Sequence, residues 1–417
     1  MKNPLILILY VSFIFCQFKS AAQRTCGSHI HQHQKLEANP QLKQRKMKLD
    51  KQIGDYIKYN KKNLNAAVMT IPVVFQIVHN GDAIGQGENL SNNQILAQLD
   101  QLNADFSRTN SDASNTPAGF QSIAADTEIQ FCLATLDPNG NSTTGINRHH
   151  INSLNNVNQS ACWDPNYIDN RIVKPLIWNS IKYLNIFTLL RLDDRNQNNQ
   201  CLNNELLGYA SFPGSSLADT DAAVHAYFTI GSLDSPNPDG YQNGLGRTAT
   251  HEIGHWLNLD HIWGGFNGGC GEDDNIADTP LQNDFSTGCP TYPQTDNCNM
   301  SATGIMFMNY MDYSDDACMN LFTKGQGDAM TAAIMVSRPG LLNSNCNGAN
   351  NPDCDVVHEV NGNISSNTYE ASQTVKSSGQ VANNRVVVFS SKGDVCLDAG
   401  FAVVAGGQFM TDNVGCN

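Results

Sequence analysis

The stretch Thr248–His261, TATHEIGHWLNLDH, decides how this chain is read. It carries His251, Glu252, His255 and His261. On an α-helix, residues four apart share a face, with about 6 Å between Cβ atoms, so His251 and His255 can share one ion. Imidazoles at this spacing hold zinc, and Glu252 beside them can serve as general base toward an attacking water. His261 comes six residues after His255 and reaches the same ion only if the helix stops and the chain turns back. Asn258 stands where that stop is needed, and Asn tolerates left-handed backbone better than any residue except Gly. Three protein ligands leave a fourth position open, which marks catalytic rather than structural zinc. Two competing readings keep the ligands but change the role. In one, the chain is a secreted, non-catalytic zinc-binding or adhesion protein, although zinc binding alone does not need Glu252. In the other, a distant carboxylate such as Glu272 replaces His261 as third ligand.

Farther on, Gly304–Gln326 reads GIMFMNYMDYSDDACMNLFTKGQ. The pattern H-E-x-x-H-x-x-N-x-x-H, then CGEDDNIADTP (Cys270–Pro280), NYMDY (Asn309–Tyr313) and CMNLFT (Cys318–Thr323), resembles the pappalysin family of metzincin metallopeptidases. The similarity runs from about Ile71 to Leu342 and is densest after Leu207. Asn258 stands where most members have Gly.

The resemblance implies an α+β fold, with a mixed α/β upper subdomain over a loop-rich, disulfide-bonded lower one. It implies zinc on His251, His255 and His261, with Glu252 as catalytic base. Met311 would form the turn under the imidazoles, and the Tyr313 phenol would face the developing oxyanion. Cys26 would hold the fourth zinc position in a latent form. The acidic loop resembles a calcium-binding loop of bacterial members, onto which Asp274 and Thr279 match best, and calcium favours such oxygen donors. By the same resemblance Cys270 pairs with Cys298 and Cys289 with Cys318. The substrates would be proteins or peptides. In metzincins the upper-rim strand runs antiparallel to bound substrate, and Leu207–Phe212 is the candidate. A peptide can add to such an edge through main-chain hydrogen bonds.

Composition bounds the rest. The chain has 417 residues, 15% of them charged, with a formal net charge of −14. This argues against a nucleic-acid partner and against an anionic membrane surface. Thirteen cysteines suit an oxidising compartment. Lys2, the apolar run Pro4–Phe18 and the small residues Ser20–Ala22 read as a secretory signal over residues 1–23. No other stretch is apolar enough to span a bilayer, and the chain is expected to be a secreted monomer.

Residues 24–65 are polar and basic and read as a propeptide, with Cys26 as its latch and His29, His31 and His33 solvated. Activation would cut between Lys43 and Asn65, where polarity exposes the backbone. The peptidase domain would span 66–345, divided at 261 into upper and lower subdomains. Ala66–Asn80 reads as a strand. Asn89–Thr109 reads as a helix capped by Ser91. Thr127–Gly140, Thr144–His150 and Tyr183–Leu190 contain further extended pieces. His149 and His150 are expected to pack or face solvent. His225–Ser232, HAYFTIGS, is expected to be the strand before the motif helix. A Cys162–Cys201 bridge is proposed, with the partner of Cys132 open. Leu321–Leu342 reads as an amphipathic helix ending near Pro339 and Gly340. Asp315 and Asp316 could favour a basic side chain near the Met311 turn. Residues 346–417 read as a linker, where Cys346 and Cys354 can pair, and a small all-β module that Cys396 and Cys416 would staple. The module resembles coathanger-like β-stacks.

Overall fold

A computed structural model describes residues 25–60, 68–155, 157–196, 198–203, 206–265 and 268–342. In the C-terminal part it describes 357–364, 367–371, 374–383, 386–391, 394–405 and 408–412. The signal segment, Cys16, the linker cysteines Cys346 and Cys354, and Cys416 lie outside these residues.

The upper half is built on one six-stranded sheet. Its longest strand, β1 (Met69–His79), pairs in parallel with β2 (Ile129–Leu133), β3 (Ile146–His150) and β4 (Leu184–Leu189). Beyond β4 come β5 (Gly208–Ala210) and β6 (Ala223–Ala226), in the order β2-β1-β4-β6-β5. β5 is the edge strand and runs antiparallel to its neighbour. The near-continuous apolar run of β1 follows from burial on both faces. Ile71, Val73, Phe75 and Ile77 face one core with helix α3 (Asn92–Phe106), while Val78 joins Phe187, Leu189 and Val224 in the other. α3 starts where Ser91 accepts a hydrogen bond from the Gln94 amide. It buries Ile95, Leu99, Leu102 and Phe106, each contributing about 1.5–3 kcal/mol.

One expectation fails here. Only Ala223–Ala226 is strand, and Tyr227–Thr229 of HAYFTIGS forms a 3-10 turn. Asn237 ties this turn down by donating its side-chain amide to the Tyr227 and Ile230 carbonyls. The chain then reaches helix α4 (Arg247–Trp256), which carries the motif.

The lower half is mostly irregular. Disulfides Cys270–Cys298 and Cys289–Cys318 cross-link it, and Cys162–Cys201 closes a loop above. Cys132 is disulfide-bonded, and none of the other described cysteines is its partner. Helix α5 (Lys324–Ser337) ends the unit, opened by a capping box between Thr323 and Gln326.

The polar N-terminal segment is two helices, α1 (Ser28–Ala38) and α2 (Pro40–Asn60). α2 buries Leu42 and Ile53, and Ile53 packs on Ala332 and Ala333 of α5. Polarity therefore does not leave the backbone from Lys43 to Asn60 open, and residues 61–67 lie outside the described ones.

The C-terminal part is all β, as expected, but its strands are stacked rather than meandering. β7 (Val357–Val360), β8 (Asn363–Ile364) and β9 (Asn367–Ala371) form one coil. β10 (Thr374–Ser377), β11 (Gln380–Val381) and β12 (Val386–Ser391) form a second, and β13 (Asp394–Leu397), β14 (Ala402–Val403) and β15 (Gln408–Asp412) a third. Each strand pairs in parallel with its counterpart one coil on. Val375, Val381, Val387 and Phe389 fill the interior. Cys396 is free, so it staples nothing. Among the described residues no helix is long and apolar enough to cross a membrane.

Candidate metal centre and cleft

α4 presents His251, Glu252 and His255, all buried. Asn258 adopts φ 74°, and the Leu259 amide donates back to the Gly254 carbonyl at 2.9 Å. This is the left-handed stop expected of Asn258, and it returns His261 to the same point. The Nε2 atom of His255 lies 3.1 Å from that of His251 and 3.1 Å from that of His261. Nδ1 of His251 donates to the Tyr310 carbonyl and Nδ1 of His255 to the Leu259 carbonyl, each at 2.7 Å. Those bonds fix the tautomer in which Nε2 carries the lone pair that a metal would use.

Cys26 completes the set: its Sγ and the three imidazole nitrogens all lie within 4.8 Å of one another. Burial, then the charge of Glu252, pushes the Cys26 thiol well above its ordinary range. Burial also holds His255 down at about 3 and His261 well below its usual value. Neutral imidazoles and a thiol that ionises only beside a strong cation are the donor chemistry of tetrahedral zinc. Glu272 is not in this group; it lies under Gly264 and Gly265.

Tyr313 places its phenol where the Cys26 amide donates to it at 3.3 Å, and its ring lies 4.9 Å from that of His261. Met311 is fully buried against α4. A Cβ on Gly254 would stand 2.5 Å from its Sδ, so only glycine lets the turn approach the helix. A Cβ on Gly208 would meet Glu252 Cγ at 2.8 Å, so the edge strand also needs a glycine opposite the carboxylate. Trp263 stacks on His261 at 4.2 Å between ring centroids.

Behind the imidazoles lies a buried polar cluster that the motif gave no hint of. Arg247, fully buried, pairs with Asp105 at 3.3 Å and Asp112 at 2.9 Å and donates to the Tyr310 hydroxyl at 3.0 Å. Thr250 donates to Asp105 at 2.6 Å. Tyr310 thus joins this cluster through its hydroxyl and His251 through its carbonyl. Asp312, raised by burial to about 6, accepts from Gln282, Ser286 and Tyr313 and so holds the Met311 turn. Asp316 accepts from the Leu245 and Arg247 amides at the start of α4. It is buried in that role.

The N-terminal segment lies along the edge strand in parallel. Leu207 donates to the Thr25 carbonyl and Gly27 to the Gly208 carbonyl, each at 2.9 Å. The Ser28 hydroxyl donates to Glu252 Oε2 at 2.7 Å and accepts from the Ala210 amide at 2.8 Å. His29 and His31 are not solvated. His29 bonds Asp260 at 3.0 Å, and His31 bonds Asp169 at 2.8 Å. His149 packs as expected, bonded to Gln76 at 2.8 Å.

The acidic loop divides its carboxylates. Asp274 is buried, raised by burial to about 8, and bonded to the Thr279 hydroxyl at 2.7 Å. Asp278 instead accepts from Thr323 and the Gly325 amide at the start of α5.

A largely parallel sheet with one antiparallel edge strand, above a helix bearing three convergent imidazoles and with a methionine turn beneath, defines the metzincin class. Residues 166–335 match the peptidase M43 family, described as pregnancy-associated plasma protein-A. An extracellular metalloprotease of Verticillium alfalfae is 32% identical over 268 residues, which is 63% of this chain and 75% of that one. The chain belongs to this pappalysin family. Extracellular metalloprotease 1 of Coccidioides posadasii is 40% identical over 135 residues, 32% of this chain and 47% of that protein. The chain thus spans about half the length of several curated relatives. Among solved structures, a promirolysin variant of Tannerella forsythia matches with TM-score 0.62 and 38% identity, over 76% of this chain and 97% of that one. Mature mirolysin from the same organism, in complex with a cleaved peptide, matches with TM-score 0.55 and 40% identity. That match covers 66% of this chain and 96% of that one.

Proposed function

We propose that this protein is a secreted zinc endopeptidase, synthesised with residues 24–65 as a latent prosegment. The observation that carries the reading is the convergence of three Nε2 atoms beside Glu252, with Cys26 Sγ in the remaining position. Zinc, when bound by His251, His255 and His261, polarises the scissile carbonyl and the attacking water. Glu252 then takes the proton of that water and delivers it to the leaving amine. The Tyr313 phenol donates a hydrogen bond to the carbonyl oxygen as charge develops there. The free edge of β5 holds the substrate backbone, so the grip is independent of side chains.

Latency follows from occupation of each of these parts. Thr25–Gly27 use the edge of β5, Cys26 takes the open metal position, and Ser28 holds Glu252 Oε2. Promirolysin matches about a tenth more of the chain than mature mirolysin does, which is the length of residues 24–65. Secretion is supported by the signal-like start and by relatives named extracellular metalloproteases. Calcium bound at Asp274, with the Thr279 oxygen beside it, would relieve the burial of that carboxylate.

The test is Glu252→Ala. The variant should keep its zinc and lose peptide hydrolysis about 10²–10⁴-fold, the contribution of a positioned general base. Cleavage of casein at the wild-type rate would refute the assignment.

A further inference from the structure

Beside the metal ligands is a slot that catalysis does not use. The His29 ring fills it, edge-on to Phe212 at 5.1 Å between centroids, 5.1 Å from His255 and 4.4 Å from His261. At its rim His29 Nε2 meets Asp260 Oδ1 at 3.0 Å. The Asp260 side chain remains 38% exposed even beneath that ring. A second basic side chain comes from α2: Lys46 Nζ lies 3.3 Å from Asn258 Oδ1 and 5.8 Å from the Phe212 ring centre. The slot therefore has an aromatic wall, a carboxylate and an amide oxygen at its rim, and two basic prosegment side chains as present occupants.

We propose that Asp260 and Phe212 form a substrate subsite that selects a cationic side chain, best a flat one such as arginine, on the N-terminal side of the scissile bond. The inference rests on the peptidase reading. Departure of α1 and α2 leaves Asp260 and Phe212 without either basic side chain, next to the reacting centre. An aromatic face with a carboxylate beside it binds a guanidinium through both its plane and its donors. Direction follows from β5. The prosegment runs parallel to that strand and carries His29 toward Phe212, past its C-terminal end. A substrate laid antiparallel on the same edge brings to Phe212 the residues that precede its scissile bond.

The experiment uses the full chain after its own activation and pairs of fluorogenic peptides differing only by Arg or Ala at the second and third positions before the cleaved bond. The Arg peptide should be favoured in kcat/KM about ten- to hundredfold, the discrimination of one charge-assisted hydrogen bond. Asp260→Asn should bring that ratio close to one, with zinc content measured alongside because His261 is adjacent. Should that variant lose zinc, Phe212→Leu serves in its place and should lower the ratio as well. Equal cleavage of both peptides by the wild type overturns the subsite, as does a ratio that survives in a zinc-loaded Asp260→Asn enzyme. Cleavage of neither peptide, nor of casein, sinks the peptidase reading itself.

Discussion

Arg247 carries the largest single burden outside the cleft. Its guanidinium is shut off from solvent and answers to two carboxylates, a phenol and the Met319 carbonyl. Breaking a buried pair by removing one partner costs about 3–5 kcal/mol, because the remaining charges stay buried. Arg247→Ala should therefore lower the melting temperature steeply, and calorimetry would show it; an unchanged melting temperature would mean that the cluster is not holding α4. At this scale the sequence was legible where chemistry is local. His251, Glu252, His255, His261, Asn258 and Met311 stand in one recognisable spacing, and the structure brings them together. Gly208, Gly254, Ser28 and Arg247 were not legible, because each matters through what lies opposite it in space. His29 and His31 were misread as solvated for the same reason: their acids, Asp260 and Asp169, are more than a hundred residues away.

The N-terminal helices α1 and α2 are held by charge as much as by apolar area. Lys35 and His31 both meet Asp169, which their charges hold down at about 2 against the opposing effect of burial. His31 itself is lowered by burial, with Asp169 acting against this and Lys35 adding to it. The docked state thus favours the neutral imidazole. That preference is fully present above the ordinary histidine value and is lost as pH falls below it toward the lowered one. Protection of residues 28–60 against hydrogen exchange, taken relative to the intrinsic amide rate at each pH, should therefore fall between pH 7.5 and pH 5 in the Glu252→Ala protein, and His31→Phe should flatten the trend. Protection in the Glu252→Ala protein that stays constant across that range would contradict it. The elements of the upper half were legible because their periodicity is strong: α3 and β1 lie within the stretches that pattern and capping marked out. α1 and α2 were missed as helices because α2 buries only Leu42 and Ile53, too few to print a stripe on a basic sequence. The C-terminal strands were visible as short apolar runs, but parallel stacking is a relation between coils that no single run displays.

Across the molecule, regular structure falls away below α4, and covalent links replace it. Cys270–Cys298 and Cys289–Cys318 brace a region with little helix or strand before α5. On the calcium reading, exhaustive dialysis into calcium-free, zinc-containing buffer should lower the melting temperature and not merely the rate; no change in stability would remove calcium from the lower half. The general plan was readable from composition: a low charge density and many cysteines pointed to a cross-linked chain suited to an oxidising compartment, and the motif placed its cleft. The resemblance supplied what spacing could not, including the pairing of four lower-half cysteines.

The central claim is that three imidazoles and Cys26 share one zinc in the latent protein. Zinc K-edge X-ray absorption of the purified proenzyme tests it most directly. One zinc per chain should show three nitrogen neighbours and one sulfur, and Cys26→Ser should lose the sulfur while keeping the metal and gaining proteolytic activity. Zinc without a sulfur neighbour in the wild-type proenzyme, or a Cys26→Ser proenzyme as silent as its parent, would contradict the account.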